Sequence, residues 1–186
     1  MTSLHLRAAG PTDAEQIALL HADSWRKHYR GVYSDSYLDG DLVDDRRAVW
    51  HARLNAPAQT FTTRADDDGE FVGFIHVVLD DDPQWGTLVD NLHVTAERKR
   101  AGIGRALLAS AAEAIAERAT HPSMYLWVQE ANTPAQAFYR AVGGSCVETA
   151  KVGLPGGVPG RLTGTPNKLR FAWPDVAAIT SHARSR

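Results

Sequence analysis

The stretch from Leu88 to Leu108 holds the residue types most able to act together chemically. Apolar and polar residues alternate to Val94, the cations Lys99, Arg100 and Arg105 interleave with Gly102 and Gly104, and Ala106-Leu107-Leu108 follows. A strand running through such a turn into a helix leaves first-turn amides without intrahelical partners, at the positive end of the helix dipole. Glycines let an anion reach that main chain and the cations add counter-charge, so the chemistry indicated is capture of a phosphate or pyrophosphate. A tight turn with solvated charges would use the same residues, and Gly-x-Gly alone is a weak signal. No Gly-Lys-Ser/Thr follows, which argues against a P-loop, and the third glycine of a dinucleotide-binding turn is missing.

Other residues bear on partners. Trp25, Tyr29, Arg30, Tyr33 and Tyr37 are bunched near Asp35, Asp39 and Asp41. Aromatics with carboxylates suit a cationic amine, while a core seam beside a solvated acidic loop fits equally well. Trp85, Trp127 and Trp173 read as strand or core residues. The single cysteine, Cys146, excludes an internal disulfide and reads as a buried, inert thiol, because no His or acid neighbours it in sequence. Eight scattered histidines show no zinc-site spacing, so no metal is expected.

The frame that must position these residues reads as one domain. The chain has 186 residues, 44% of them hydrophobic and 23% charged, with a formal net charge of −2. That balance supplies no basic field for nucleic acid or an anionic membrane. The first residues lack a secretion signal and no apolar run approaches the ~20 residues that cross a bilayer, so a cytoplasmic protein is expected.

Thr12 and Glu15 fit a capping box opening a helix from about Asp13 to Tyr29. A second helix carries Leu42, Val49, Trp50 and Leu54 and stops before Pro57. Strands are expected over Leu4–Ala8, Gln59–Arg64, Phe71–Leu79, Thr87–Val94, Met124–Gln129, Ser145–Val152 and Lys168–Trp173. Turns are expected at Asp66–Gly69 and Asp80–Pro83, and helices over Gly102–Ala119 and Pro134–Val142. The Gly- and Pro-rich segment Gly153–Pro166 is a lid or a long hairpin loop. Residues 1–174 form the domain, and 175–186 are a tail or short helix. The order is that of a mixed α/β sheet protein.

Two motifs carry a family resemblance. Lys99, Gly102 and Gly104, followed by Arg105-Ala106-Leu107-Leu108, resemble the acetyl-CoA signature of the GNAT (GCN5-related) N-acetyltransferases, with Lys99 in place of the usual Arg or Gln. Downstream, Asn132, Ala135, Phe138, Tyr139 and Gly143 resemble the family's second motif, with Gly144 where Phe is usual. The segment Ser24–Tyr33 is similar to the family's first helix and acceptor loop. The likeness extends roughly from residue 4 to 173.

This resemblance implies a mostly antiparallel sheet whose fourth and fifth strands splay, with helices flanking it. It implies acetyl-CoA in the gap: pantetheine along Leu92, His93 and Val94, pyrophosphate on Lys99, Arg100, Ala101, Gly102, Ile103, Gly104 and Arg105, and the second wall made by Asn132, Ala135, Phe138 and Tyr139. Asn132 also reads as a plain helix cap. The implied reaction is direct transfer of acetyl to a primary amine of a small molecule or peptide, with the oxyanion held by an amide near Val94 and Tyr139 as acid. Asp90 is the first choice of base, His93 or Glu130 the others. On alternation, Asp90 shares a face with Leu88 and Leu92, opposite Asn91 and His93. Trp25, Tyr29 and Tyr33 would meet the acceptor. Homodimers are common in such proteins. A non-catalytic acyl-CoA-binding regulatory module of the same fold is the alternative, and a mononucleotide-binding protein a third.

Overall fold

The computed structural model describes residues 3–56 and 58–183. Seven strands form one sheet in the order β1-β2-β3-β4-β5-β7-β6: β1 Leu4–Ala8, β2 Thr60–Asp67, β3 Glu70–Asp82, β4 Gly86–Val94, β5 Met124–Gln129, β6 Ser145–Lys151 and β7 Asn167–Trp173. All neighbours run antiparallel except β4 and β5. The helices are α1 Ala14–His28, α2 Asp35–Asp39, α3 Leu42–Asn55, α4 Ile103–Arg118, α5 Thr133–Ala141 and α6 Ala177–Ala183.

Side-chain alternation divides the sheet into two faces. Ile75, Val77, Val89, Leu126 and Phe171 pack with Leu107, Ala111 and Ile115 of α4 in the larger core. Phe74, on the opposite face, packs with Ile17 of α1 and Trp50 and Leu54 of α3. Each fully buried Leu, Ile or Phe in these layers contributes about 1.5–3 kcal/mol.

Several local expectations change. The Thr12–Glu15 capping box does not form. A 3-10 turn, Pro11–Asp13, precedes α1; the Gly10 amide donates to Asp13 Oδ2 at 2.9 Å, and Glu15 pairs with Arg47 across the α1–α3 seam. Strand β2 extends to Asp67, leaving Asp68 and Gly69, both at positive φ, as a two-residue hairpin turn. Strand β3 continues through the aspartates to Asp82, with an irregularity between Val78 and Asp82 and Asp80 at φ 50°. Of the two readings for the segment after Pro174, the short helix is the one observed, as α6, with Val176 and Ile179 buried in the main core. Cys146 is exposed rather than buried, since β6 is an edge strand with few covered side chains.

Gly144 leaves a core contact to be filled, and Trp173 fills it. A Cβ on Gly144 would stand 2.5 Å from the Trp173 ring, and the indole Nε1 donates to the Val142 carbonyl at 3.0 Å.

Candidate active site

Strands β4 and β5 start together and then part. The Thr87 amide donates to the Ser123 carbonyl at 3.1 Å, and a Cβ on Gly86 would collide with that same oxygen, so glycine permits the close approach. The two strands pair only at Thr87–Met124 and Leu88–Tyr125. Beyond this point β4 stays registered on β3, and β5 on β7. A bulge marks the divergence: His76 opposes Asn91 and Val77 opposes Val89, leaving Asp90 unmatched. Such a bulge bends its strand and re-aims a side chain.

The bulge corrects the simple alternation for Asp90. Its carboxylate lies 2.8 Å from Arg53 Nη2 on α3 and accepts from Asn91 Nδ2 at 3.0 Å, so Asp90 and Asn91 lie on the same side. Leu92 and Val94 pack toward the α4 core. The His93 ring turns to α1, with Nδ1 2.8 Å from Ser24 Oγ and rings of His21 and Phe74 beside it. Burial pushes its pKa down to about 4, helped by the nearby His28 charge.

At the far end of β4 the chain makes a 3-10 turn and enters α4. Gly102 holds φ 81° and Arg100, not a glycine, holds φ 69°. Non-glycine residues in this region cost about 1–3 kcal/mol and cluster at ligand clamps. The first hydrogen bond of α4 runs from the Ala106 amide to the Gly102 carbonyl, so the amides of Ile103, Gly104 and Arg105 lack helical partners. Arg100 and Ala101 are exposed. Lys99 spends its side chain on His28 Nε2, at 3.1 Å, which leaves Arg100 and Arg105 as the cations of this turn with no ion pair among the described residues.

The opposite wall comes from β5 and α5. Asn132 Oδ1 accepts from the Ala135 amide at 3.3 Å, the N-cap geometry of α5. Phe138 reaches back to α4: its Cζ would be 3.6 Å from a Cβ built on Gly104, with a Val94 methyl at 3.9 Å. Tyr139 packs against Phe171 and Trp173, with ring centroids at 5.8 and 6.2 Å. Burial pushes its hydroxyl pKa upward, and Tyr29 adds to the shift.

Tyr29 stands at the C-cap of α1, and its hydroxyl is hydrogen-bonded to the Gln129 side chain at the end of β5. Its pKa is pushed up to about 12, chiefly by burial. Trp25 and Tyr33 stack beside it, with Tyr33 buried and Arg46 over the Trp25 ring. Two carboxylates of the acidic loop are already paired, Asp35 and Asp39 with Arg30, and the neighbouring Asp45 takes Tyr37, Arg46 and Arg161. The β6–β7 connection is a fixed wall here. The Ser34 amide donates to the Arg161 carbonyl at 2.9 Å and Thr163 to Val32 at 2.8 Å.

Sequence reasoning missed Arg53, Gln129 and Lys168 at this cleft. Gln129 and Lys168 are strand ends whose alternation places them on the α1 face, a usable signal; nothing local ties Arg53 to Asp90. Trp127 also differs from a plain core residue, for it lies between the cations of Lys168 and Arg170 on that same face. Glu130 is exposed and accepts from Asn167 Nδ2 at 2.9 Å. Among the described residues no helix is long and apolar enough to cross a membrane, and no group of three His, Cys, Asp or Glu could hold a metal ion.

Known proteins share this architecture. The Bacillus subtilis protein described as the uncharacterized N-acetyltransferase YuaI is 28% identical over 176 residues, covering 94% of this chain and 95% of its own. The mycothiol acetyltransferase of Clavibacter sepedonicus is 34% identical over 128 residues, 69% of this chain but 38% of its own. The crystal structure of PaiA N-acetyltransferase from Thermoplasma acidophilum in complex with coenzyme A superposes with a TM-score of 0.71 at 18% identity, over 92% of this chain and 99% of the other. Arabidopsis thaliana NAA60 in complex with a bisubstrate analogue gives 0.66 at 18% identity, over 92% and 98%. A model described as the Acetyltransferase (GNAT) family matches residues 22–143, a span holding the second half of α1, the splayed strands, the α4 turn and α5, and the chain belongs to that family.

Proposed function

We propose that this protein transfers the acetyl group of acetyl-CoA directly to a primary amine of a small molecule or peptide. The observation that carries this reading is the parting of β4 from β5 after two paired positions, beside a helix start with three unpartnered amides. Amides of Ile103, Gly104 and Arg105, with Arg100 and Arg105 as counter-charge, would hold the pyrophosphate. The unpaired edge of β4 through Leu92, His93 and Val94 would bond the pantetheine arm, and Asn132, Ala135 and Phe138 would form its other wall. Acetyl-CoA supplies an activated thioester when bound.

Tyr139 is protonated at neutral pH, as an ordinary phenol is, and burial raises its pKa further, so it carries a proton to donate to the departing thiolate. A β4 amide near Val94 would hold the oxyanion. Asp90 is tied to Arg53 and Asn91, and we assign it to positioning the bulge. His93 stays neutral above pH ~4 and faces Ser24 rather than the opening, so we assign it no proton transfer. The amine therefore arrives uncharged or loses its proton to water. This lack of a free base also favours a second reading, an acyl-CoA-binding regulatory module without transfer. The single, exposed thiol of Cys146 supports a reducing compartment such as the cytoplasm.

The test is calorimetry with acetyl-CoA together with thiol release against a panel of primary amines. Tyr139→Phe should lower kcat by about 10²-fold or more and leave acetyl-CoA affinity within about twofold. Unchanged turnover would remove Tyr139 as the acid. Tight acetyl-CoA binding with no thiol release from any amine would favour the regulatory module.

A further inference from the structure

Beyond the gap, the β5–β7 part of the α1 face carries two rows of side chains. Gln129 is paired with Lys168 and Trp127 with Arg170, while the intervening Val128 and Leu169 face the α4 core. In the second row Arg170 is paired in charge: its guanidinium lies over Trp127 and Tyr125, 2.9 Å from Glu148 and 3.6 Å from Asp82, although its Nε and Nη1 make no hydrogen bond among the described residues. In the first row the charges do not balance. Lys168 Nζ lies 4.2 Å from the centre of the Trp127 ring, and among the described residues no carboxylate stands within ion-pair distance of it. Glu148, the acid whose charge acts on Lys168, is held by Arg170, and Lys151 is turned away to Asn167 and the Thr165 carbonyl. Burial and the Arg170 charge both push the Lys168 pKa down, the mark of a cation short of an anion.

Its row partner, Gln129, is 7% exposed, and among the described residues its Oε1 has no hydrogen-bond donor, although its side chain also meets Tyr29. Asn91, 8% exposed, has an Oδ1 in the same condition on β4. Two buried carbonyl oxygens on the two diverging strands therefore lack N–H donors, and an unmatched ammonium is registered beside one of them. Paired residues on neighbouring strands stand about 5 Å apart. A primary amine with a carboxylate a few bonds away offers two N–H donors and one anion to this set.

We propose that the acceptor is a small primary amine bearing a carboxylate, an amino-acid-like zwitterion, whose amine is received by Asn91 and Gln129 and whose carboxylate is paired by Lys168. This rests on the acetyl-transfer reading above and narrows its substrate class. Lys168 is assigned to specificity, not to the chemical step. Its charge also favours the uncharged form of the neighbouring amine, which is the form that attacks.

The experiment compares amino acids with their own carboxamides in the thiol-release assay, using the full chain, Lys168→Gln and Lys168→Arg. The native protein should prefer the carboxylate by about tenfold in kcat/KM. Lys168→Gln should abolish that preference by raising KM for carboxylates, with kcat and the carboxamide reactions little changed, and Lys168→Arg should restore most of it. Equal use of acids and amides by the native protein, or an equal loss for both in Lys168→Gln, overturns the proposal. A second readout is independent of turnover: N-acetylated amino acids and their carboxamides are titrated calorimetrically into the protein loaded with CoA. A carboxylate preference that depends on Lys168 supports the site even if no amine is acetylated, an outcome that would sink the transfer reading alone. Equal binding overturns the site whatever the turnover.

Discussion

The guanidinium of Arg53 on α3 lies 2.8 Å from the carboxylate of Asp90, the one residue of β4 left unmatched at its bulge. The helix pinned over the acceptor face is thereby tied to the point where β4 leaves β5. Both contacts of the Asp90 carboxylate go to protein groups that hold the strand, so its assigned role is positioning. Asp90→Asn should leave the pH dependence of kcat/KM in place and cost about 1 kcal/mol of stability, as a partly exposed pair does. Arg53→Gln should produce a similar loss. A pH–rate limb that disappears in Asp90→Asn alone would make Asp90 the base after all.

Gly104 tests the anion cradle in two sizes. A Cβ there would meet Phe138 at 3.6 Å, an ordinary contact, so Gly104→Ala should fold normally and keep acetyl-CoA affinity within about an order of magnitude. Gly104→Leu would press into Phe138 and cover the neighbouring amides. Calorimetry should then show acetyl-CoA binding weakened by about 100-fold or more, while circular dichroism shows a retained fold. Equal affinity in all three proteins would mean that the pyrophosphate lies elsewhere.

Acid should destabilise the protein before its carboxylates titrate. His93 falls from an ordinary 6.5 to about 4, His76 likewise, and His21 is lowered well below its usual value, each chiefly by burial. The unfolded chain then binds more protons than the folded one between pH 6.5 and 4. The stabilisation these groups give is complete above 6.5; for His93 and His76 it is lost as pH falls toward 4, at about 1–3 kcal/mol each, and His21 adds to it in the same direction. Urea midpoints measured from pH 7.5 to 4.5 should fall, and His93→Asn should shallow the slope. A flat profile would show that these rings are not buried neutral. Below pH 4, Asp13, held down to about 2 by Arg7, Gly10 and Arg64 against its burial, takes over the acid dependence.

Gly144 should be intolerant although it lies far from the chemistry. Gly144→Ala would put a methyl group 2.5 Å from the Trp173 ring, and overpacking of this kind costs about 1–3 kcal/mol. Thermal unfolding should move down by several degrees with acetyl-CoA affinity unchanged. Trp173→Leu is costly by itself, but in its background the additional penalty of Gly144→Ala should shrink, because the atoms in conflict are gone. Full independence of the two substitutions would contradict the packing.

Local order in the sequence determined the strand–turn–helix from Thr87 to Leu108, the helix behind Asn132 and the mixed α/β class. Glycines, cations, caps and periodicity act over a few residues, and their physics is complete at that range. The capping box at Thr12 was also a local reading, and it failed because Glu15 found a stronger partner in Arg47 on another helix. Tertiary structure alone decided which way Asp90 points, since the bulge exists only in the register of β4 on β3. It also decided that Cys146 is exposed on an edge strand, that Trp173 occupies the space left by Gly144, and that Lys168 sits beside Gln129 without an acid. These outcomes depend on strands brought together from distant parts of the chain. Which side chains end up matched, crowded or unpaired is settled by pairing register and by competition among partners, neither of which is encoded at any single position.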